Sequence, residues 1–240
     1  MAILSLSDMV KTYNGKRAVN GVSLDVESGR VVGLLGPNGA GKTTTFYMAI
    51  GIIRNDGGQV MLNDRDITAA PIHIRARQGI GYLPQEASVF RKLTVRQNVM
   101  AILEMLPLSR RERENRAGEL LEELGIHHLA DRKAGVLSGG ERRRLEITRV
   151  LATRPSFILL DEPFAGIDPL AVIDIQKIIR HLTQKDIGIL ISDHNVRETL
   201  VVCDTAYILN NGTVIESGSP QKIASSGIAR KIYLGDEFKL

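Results

Sequence analysis

The stretch Gly36-Pro37-Asn38-Gly39-Ala40-Gly41-Lys42-Thr43 constrains this chain more than any other. It is a complete G-x-x-x-x-G-K-[ST] pattern set between two different local signals. Before it, Val31-Val32-Gly33-Leu34-Leu35 is a continuous apolar run that predicts a buried strand; after it, Thr44 to Ile52 reads as a helix. A strand–loop–helix of this kind turns successive backbone N–H groups inward, and the helix N-terminus adds partial positive charge. The glycines let the backbone close on a phosphate, Lys42 reaches the outer phosphates, and the Thr43 hydroxyl is placed to ligate Mg²⁺. Gly36, Pro37, Asn38, Gly39, Ala40, Gly41, Lys42, Thr43 and Thr44 are the expected phosphate-binding residues.

The rest of the composition narrows the class. At 240 residues and 43% hydrophobic content, the chain suffices for one large domain with a subdomain. No window approaches the length of an apolar membrane-spanning helix, and the N-terminus lacks the pattern of a secretory signal. A single cysteine, Cys203, forbids an intrachain disulfide and argues against a thiolate zinc site. The net charge of +4 permits an anionic partner without demanding one. The absence of Trp and the few aromatics weaken the case for a single-strand nucleic-acid binder.

Alternation in Ile3–Leu6 and Val22–Val26 predicts an antiparallel, half-exposed β subdomain. Further strands are expected at Gln59–Leu62 and Gly79–Leu83. From Thr94 to about Val150, Glu, Arg and Leu recur at helical spacing, which reads as an inserted helical subdomain. The pattern then returns to strand Phe157–Leu160, helix Leu170–Leu182 and strand Ile187–Ile191. A hairpin follows, Ala206–Leu209 and Thr213–Glu216 around Asn210-Asn211-Gly212. The expected fold is α/β: a phosphate-loop core with a doubly wound, mostly parallel sheet, an N-terminal antiparallel β subdomain and a helical insertion. The whole, 1–240, is one domain: 1–93 and 151–224 form the core, 94–150 the helical subdomain and 225–240 a tail.

Two more constellations carry chemistry. Phe157-Ile158-Leu159-Leu160-Asp161-Glu162 is an apolar strand ending in two acids, where open α/β sheets bind ligands. Asp161 is placed to hold Mg²⁺ and Glu162 to orient or deprotonate a water; the plainer reading is a polar strand end that caps the next helix. Leu137-Ser138-Gly139-Gly140-Glu141 precedes an Arg-rich helix and reads as a second nest of backbone donors. An ordinary Ser cap would explain Ser138 but not the paired glycines. A second nest on a separate subdomain predicts a two-fold dimer that encloses two ATP molecules. Each ATP is then held by one chain's phosphate loop and the other's Ser138, Gly139 and Gly140.

The ordered set resembles the ATPase subunits of ATP-binding cassette (ABC) transporters, over essentially the whole chain. The resemblance implies ATP and Mg²⁺ as cofactors, a homodimer, and membrane permease subunits that the ATPase drives. It implies that Tyr13 stacks on adenine and that Gln85 touches Mg²⁺ and the attacking water. It also implies that Asp168, in Ala165-Gly166-Ile167-Asp168-Pro169, links the two sites across the dimer, and that His194 contacts the γ-phosphate. Each has a plainer rival: a strand-end aromatic, a surface turn, a core histidine. Two positions depart from the family's commonest pattern: Glu141 stands where Gln is usual, and Ile167 where Leu is usual. Neither removes a donor or a carboxylate.

More particular stretches are Phe46-Tyr47-Met48, Gly81 to Phe90, Asp193 to Thr199 and Tyr233 to Phe238. They resemble the branch of the family that powers lipopolysaccharide export from the inner membrane of Gram-negative bacteria. That branch works as a homodimer beneath two non-identical membrane subunits, on the cytoplasmic face of the inner membrane. An ATPase of another transporter, for example one importing branched-chain amino acids, and a soluble non-transport ABC ATPase remain alternatives. On physical grounds Val89, Phe90, Arg91 and Leu93 offer apolar anchors with a basic rim, suited to gripping a short helix of a membrane partner. The rival is that Phe90 packs inside the helical subdomain. The tail residues Ile228, Ile232, Tyr233 and Phe238 either pack across the dimer or dock on their own domain.

Overall fold

The computed structural model describes residues 1–235 and 238. Two sheets face each other across the first helix. β1 (Ile3–Tyr13) and β2 (Lys16–Glu27) form a long hairpin, closed by Asn14 and Gly15, both at positive φ. With β4 (Gly57–Leu62) and the short β5 (Arg65–Asp66) they make an antiparallel sheet in the order β2-β1-β4-β5. The second sheet contains β3 (Val31–Leu35), β6 (Ile80–Leu83), β7 (Phe157–Asp161), β8 (Gly188–Ser192), β9 (Thr205–Asn210) and β10 (Thr213–Gly218). Its order is β10-β9-β3-β8-β7-β6, and every pair is parallel except the β9–β10 hairpin. The β3, β7 and β8 strands are buried at every residue, as strands covered on both faces must be.

α1 (Lys42–Ile50) runs between the sheets. Phe46, Met48, Ala49 and Ile50 pack with Leu4, Val22 and Leu24 of one sheet and Leu34, Phe157 and Leu190 of the other. This explains why the second half of α1, Phe46 to Ile50, is apolar while its first turn, Lys42 to Thr45, is polar. Gly51, in the left-handed conformation, ends it. The buried Arg75 of α2 (Ile72–Arg77) bonds the Met48 and Ala49 carbonyls at that end. Neither α2 nor β5 is among the sequence expectations; both are shorter than the periodicity of a helix or strand needs to show itself.

The opposite face of the parallel sheet carries the helices. α3 (Val95–Leu103), α4 (Arg110–Glu123) and α5 (Gly139–Leu151) each begin with a reciprocal capping box, at Thr94/Gln97, Ser109/Glu112 and Ser138/Glu141. Their core of Val99, Leu120, Leu121 and Leu145 merges with that beneath α6 (Pro169–Thr183). α7 (Val196–Val202) and α8 (Pro220–Ser225) complete the domain. In the tail, Tyr233 and Phe238 pack on the chain's own cluster with Leu200, Ile208 and Ile223, while Ile228 and Ile232 stay exposed. Tail positions 236, 237, 239 and 240 lie outside the described residues.

Candidate functional site

The four neighbouring strands β3, β8, β7 and β6 all point their carboxyl ends at one edge of the sheet. They end respectively in the phosphate loop, Asp193-His194, Asp161-Glu162 and Pro84-Gln85. Parallel strands therefore gather chemistry from four distant parts of the sequence.

The phosphate loop wraps tightly. A Cβ on Gly36 would sit 2.1 Å from the Leu209 carbonyl oxygen, and one on Gly41 2.6 Å from that of Ala18. Both residues also have positive φ, so any side chain there would force the loop open. α1 starts from Gly41 with no side-chain cap and no acid in its first turn, which leaves its leading N–H groups for a ligand. The Lys42 ammonium donates to the carbonyls of Gly36 at 2.6 Å and Pro37 at 3.0 Å, lying across the loop's own mouth. Burial lowers its pKa, and Glu162, Asp161 and Asp193 pull it back up. Asn38, Gly39 and Thr43 are exposed at the rim.

Opposite stand the acids. Asp161 is buried, with the Tyr82 hydroxyl donating to it at 3.4 Å. Burial first, and the neighbouring Glu162 charge second, push its carboxyl above the ordinary range. Glu162 takes positive φ, an uncommon conformation for a non-glycine residue, with its N–H donating to the Ser192 carbonyl at 2.6 Å. Its carboxylate accepts from Gln85 Nε2 at 2.8 Å and lies 3.2 Å from His194 Nδ1. Gln85, Glu162 and His194, three residues far apart in sequence, thus form one linked group. Among the described residues no three His, Cys, Asp or Glu side chains converge as a metal cage. That suits Mg²⁺, which takes one or two protein oxygens and completes its shell with phosphate and water. Asp161, buried at the end of β7, and Thr43, exposed in the first turn of α1, carry the oxygens available for such a role. The destabilised carboxylate at Asp161 is a group that a cation would relieve.

Asp193, named only within the stretch around His194, has no site role among the sequence expectations. It is fully buried and accepts from Phe164 N at 3.0 Å and Asn195 N at 2.8 Å. It thereby ties the turn after Glu162 to the turn that carries His194. An acid directly before the histidine, at the end of an apolar strand, was the available signal.

The second nest opens elsewhere. Ser138, Gly140 and Glu141 line a cleft of about 340 Å³ together with Asp168, Leu170 and Ala171, and no phosphate-loop residue reaches it. Asp168 caps α6, accepting from Ala171 N at 2.9 Å. Its loop packs on the nest, with Gly166 and Ile167 beside Gly139. Tyr13 is 46% exposed at the end of β1, with Lys11 Nζ 5.6 Å from the ring centre.

Of the proposed partner anchors, Val89 is 8% exposed and packs in the helical core, so the sequence expectation for that residue does not fit its burial. Phe90 is 47% exposed, and Arg91 is exposed as well. The Phe90 backbone is pinned by the buried Asn98, which accepts its N–H at 2.8 Å and donates to its carbonyl at 3.1 Å. The free ring carries the Arg149 guanidinium 4.7 Å from its centre. Arg149 borders an apolar groove of about 310 Å³ walled by Ile50, Ile72, Tyr82 and Ile102. Only the folded chain assembles this groove, because its walls come from both subdomains.

The sequence profile of the ABC transporter family matches residues 19–165. The lipopolysaccharide export system ATP-binding protein LptB of Escherichia coli K12 is 56% identical over 241 residues, covering 100% of both chains. The LptB of Acidithiobacillus ferridurans is 57% identical, over 99% of each. Among solved structures, the ADP conformation of MJ1267, an ATP-binding cassette of an ABC transporter, superposes with a TM-score of 0.88. It is 33% identical and covers 98% of this chain and 100% of its own. With a strand-to-helix phosphate loop, paired acids at the end of β7 and relatives of this closeness along its whole length, the chain belongs to the ABC transporter ATP-binding family.

Proposed function

We propose that this chain hydrolyses ATP to ADP and phosphate as the nucleotide-binding subunit of a lipopolysaccharide exporter. The observation that carries the chemistry is the Gln85–Glu162–His194 group facing Lys42 and the uncapped α1 N-terminus. The loop amides and Lys42 neutralise the phosphates, Glu162 orients or activates a water, and Gln85 and His194 hold that carboxylate toward it. Asp161 and Thr43 would hold Mg²⁺, which would supply charge neutralisation to the phosphates. Tyr13, with one exposed ring, stacks on adenine. Two chains enclose two nucleotides, each Ser138–Gly140 nest serving the other copy's ATP, and Asp168 beside the nest links the sites.

The cargo reading is supported by the full-length likeness to LptB proteins. The groove and the presented Phe90 ring support docking of a short helix from each of two membrane subunits, on the cytoplasmic face of the inner membrane. No helix among the described residues is long and apolar enough to cross a membrane. Two measurements test this: phosphate release by the purified chain, and rescue of an E. coli strain depleted of its own LptB. Hydrolysis with rescue is the expected result. Hydrolysis without rescue, with other membrane proteins copurifying, would assign a different transporter.

A further inference from the structure

The segment that carries Gln85 has little to hold it. Gln85, Glu86 and Ala87 are exposed. Among the described residues, no backbone–backbone hydrogen bond outside the helices and strands involves Pro84–Ser88. Apart from the Gln85–Glu162 bond, its anchors come from one face of α5. Arg143 donates through Nη1 to the Pro84 carbonyl at 3.0 Å and through Nη2 to the Asp161 carbonyl at 3.2 Å. Glu146, one turn on, accepts from Ser88 N at 2.8 Å and pairs with Arg143 at 3.0 Å. Arg149 donates to the Ser88 carbonyl. Arg143 and Glu146 are 6% and 3% exposed.

We propose that Arg143 and Glu146 are positioning residues for hydrolysis, setting Gln85 and the metal-binding Asp161 at a fixed separation. A buried ion pair is a weak source of net stability, since an apolar pair of similar volume serves as well. What an apolar pair cannot do is reach Pro84, Ser88 and Asp161 at once. Planar Arg143 bridges two carbonyls of different strands' ends with two N–H groups in a fixed fork. Lysine carries all its donors on one nitrogen and lacks this planar fork, so it does not reproduce the two bonds made from separate nitrogens. The pair also lies on the helix whose first turn is the Ser138 nest, so a shift of α5 moves the Gln85 segment and the Asp161 backbone together. This inference rests on the reading of Gln85 and Asp161 as metal-site residues.

The test uses Mn²⁺ as the probe. Its affinity for the ATP-bound protein is read by electron paramagnetic resonance of free Mn²⁺, beside kcat and the ATP concentration for half-saturation. R143K, E146Q, E146A and the double variant R143M/E146L are compared with D161N. Groups that orient metal ligands typically contribute about 10- to 100-fold to metal affinity or activity. R143K and the double variant are expected to lose that much Mn²⁺ affinity and kcat. ATP binding without metal should change less than about threefold, because the phosphate loop is untouched. E146Q, which keeps an acceptor for Ser88 N, should lose less than E146A. The double variant guards against misfolding: it should melt at or above the wild-type temperature and still show the loss. A folded double variant with wild-type Mn²⁺ affinity and kcat overturns the inference while D161N remains impaired. Wild-type Mn²⁺ affinity in D161N overturns the metal-site reading and the inference with it.

Discussion

Two helix N-termini on this chain are built from the same elements and prepared differently. α1 begins at Gly41, which has no side chain to cap it, and has no acid in its first turn. α5 begins at Ser138, whose hydroxyl accepts from Glu141 N at 3.3 Å while the Glu141 carboxylate accepts from Ser138 N at 2.8 Å. The first terminus leaves its donors open, and the buried Lys42 ammonium lies across the loop's mouth on the Gly36 and Pro37 carbonyls. The second already satisfies two donors internally and places a negative charge at its own mouth. The contrast teaches that α1 offers open donors whereas α5 offers a preformed, acidic surface; on the proposed function a phosphate seats deeply at the first and docks against the second. There it finds the Gly139 and Gly140 amides and the hydroxyl hydrogen that Ser138 still has to donate. On the proposed function, the first site binds a nucleotide and the second meets the nucleotide of another copy.

The largest effect should come from the chemistry at the first site. Glu162→Gln is expected to lower the rate of phosphate release by about 10²- to 10⁴-fold, the usual range for a general base, while ATP still binds. Equal loss of binding would show that Glu162 shapes the site rather than the reaction. Next, Lys42→Ala removes a charged donor to phosphate and should weaken ATP binding about 10- to 100-fold by titration calorimetry.

At the second terminus the effects are smaller and opposite in sign. Glu141→Gln keeps the capping geometry and removes the charge. It should lower the ATP concentration for half-maximal hydrolysis about 2- to 5-fold, the worth of one charge at a helix end. The bond to the Ser138 backbone N–H holds the Glu141 carboxyl below the ordinary glutamate range. A lowered folded-state pKa contributes stability above the unfolded value and loses it as pH falls through the folded value. Acid melting curves should therefore show wild type losing an increment below about pH 4.3 that Glu141→Gln does not lose. Smallest of all, Phe90→Ala should change folding stability by only about 0.5–1 kcal/mol, the loss of an exposed cation–π contact with Arg149. A loss several times larger would mean that the ring supports the helical subdomain instead of awaiting a partner.

The same contrast marks what could be read before folding. The phosphate loop lies within a few residues of its strand and helix, so local pattern alone located β3, the loop and α1. Asp161 and Glu162 were legible for the same reason, at the end of an apolar run. The hairpin at Asn210-Asn211-Gly212 was legible through its turn chemistry, and both Asn211 and Gly212 take positive φ. By contrast, Asp193, Arg143 and Glu146 act through partners 18 to 59 residues away, as in Asp161 O to Arg143 or Pro84 O to Arg143. Their residue types signal only charge on a strand end and on an Arg-rich helix. Val89 and Phe90 are neighbours of like hydrophobicity, and it takes Asn98, pinning the backbone between core and groove, to send one inward and the other out.

Light scattering after size exclusion of the Glu162→Gln protein, with saturating Mg-ATP, tests most directly whether the α5 nest serves another copy's nucleotide. The expected result is a dimer that dissociates without ATP and fails to form when Ser138→Arg blocks the nest. A monomer under saturating Mg-ATP, or a dimer indifferent to Ser138→Arg, would contradict the shared-nucleotide account.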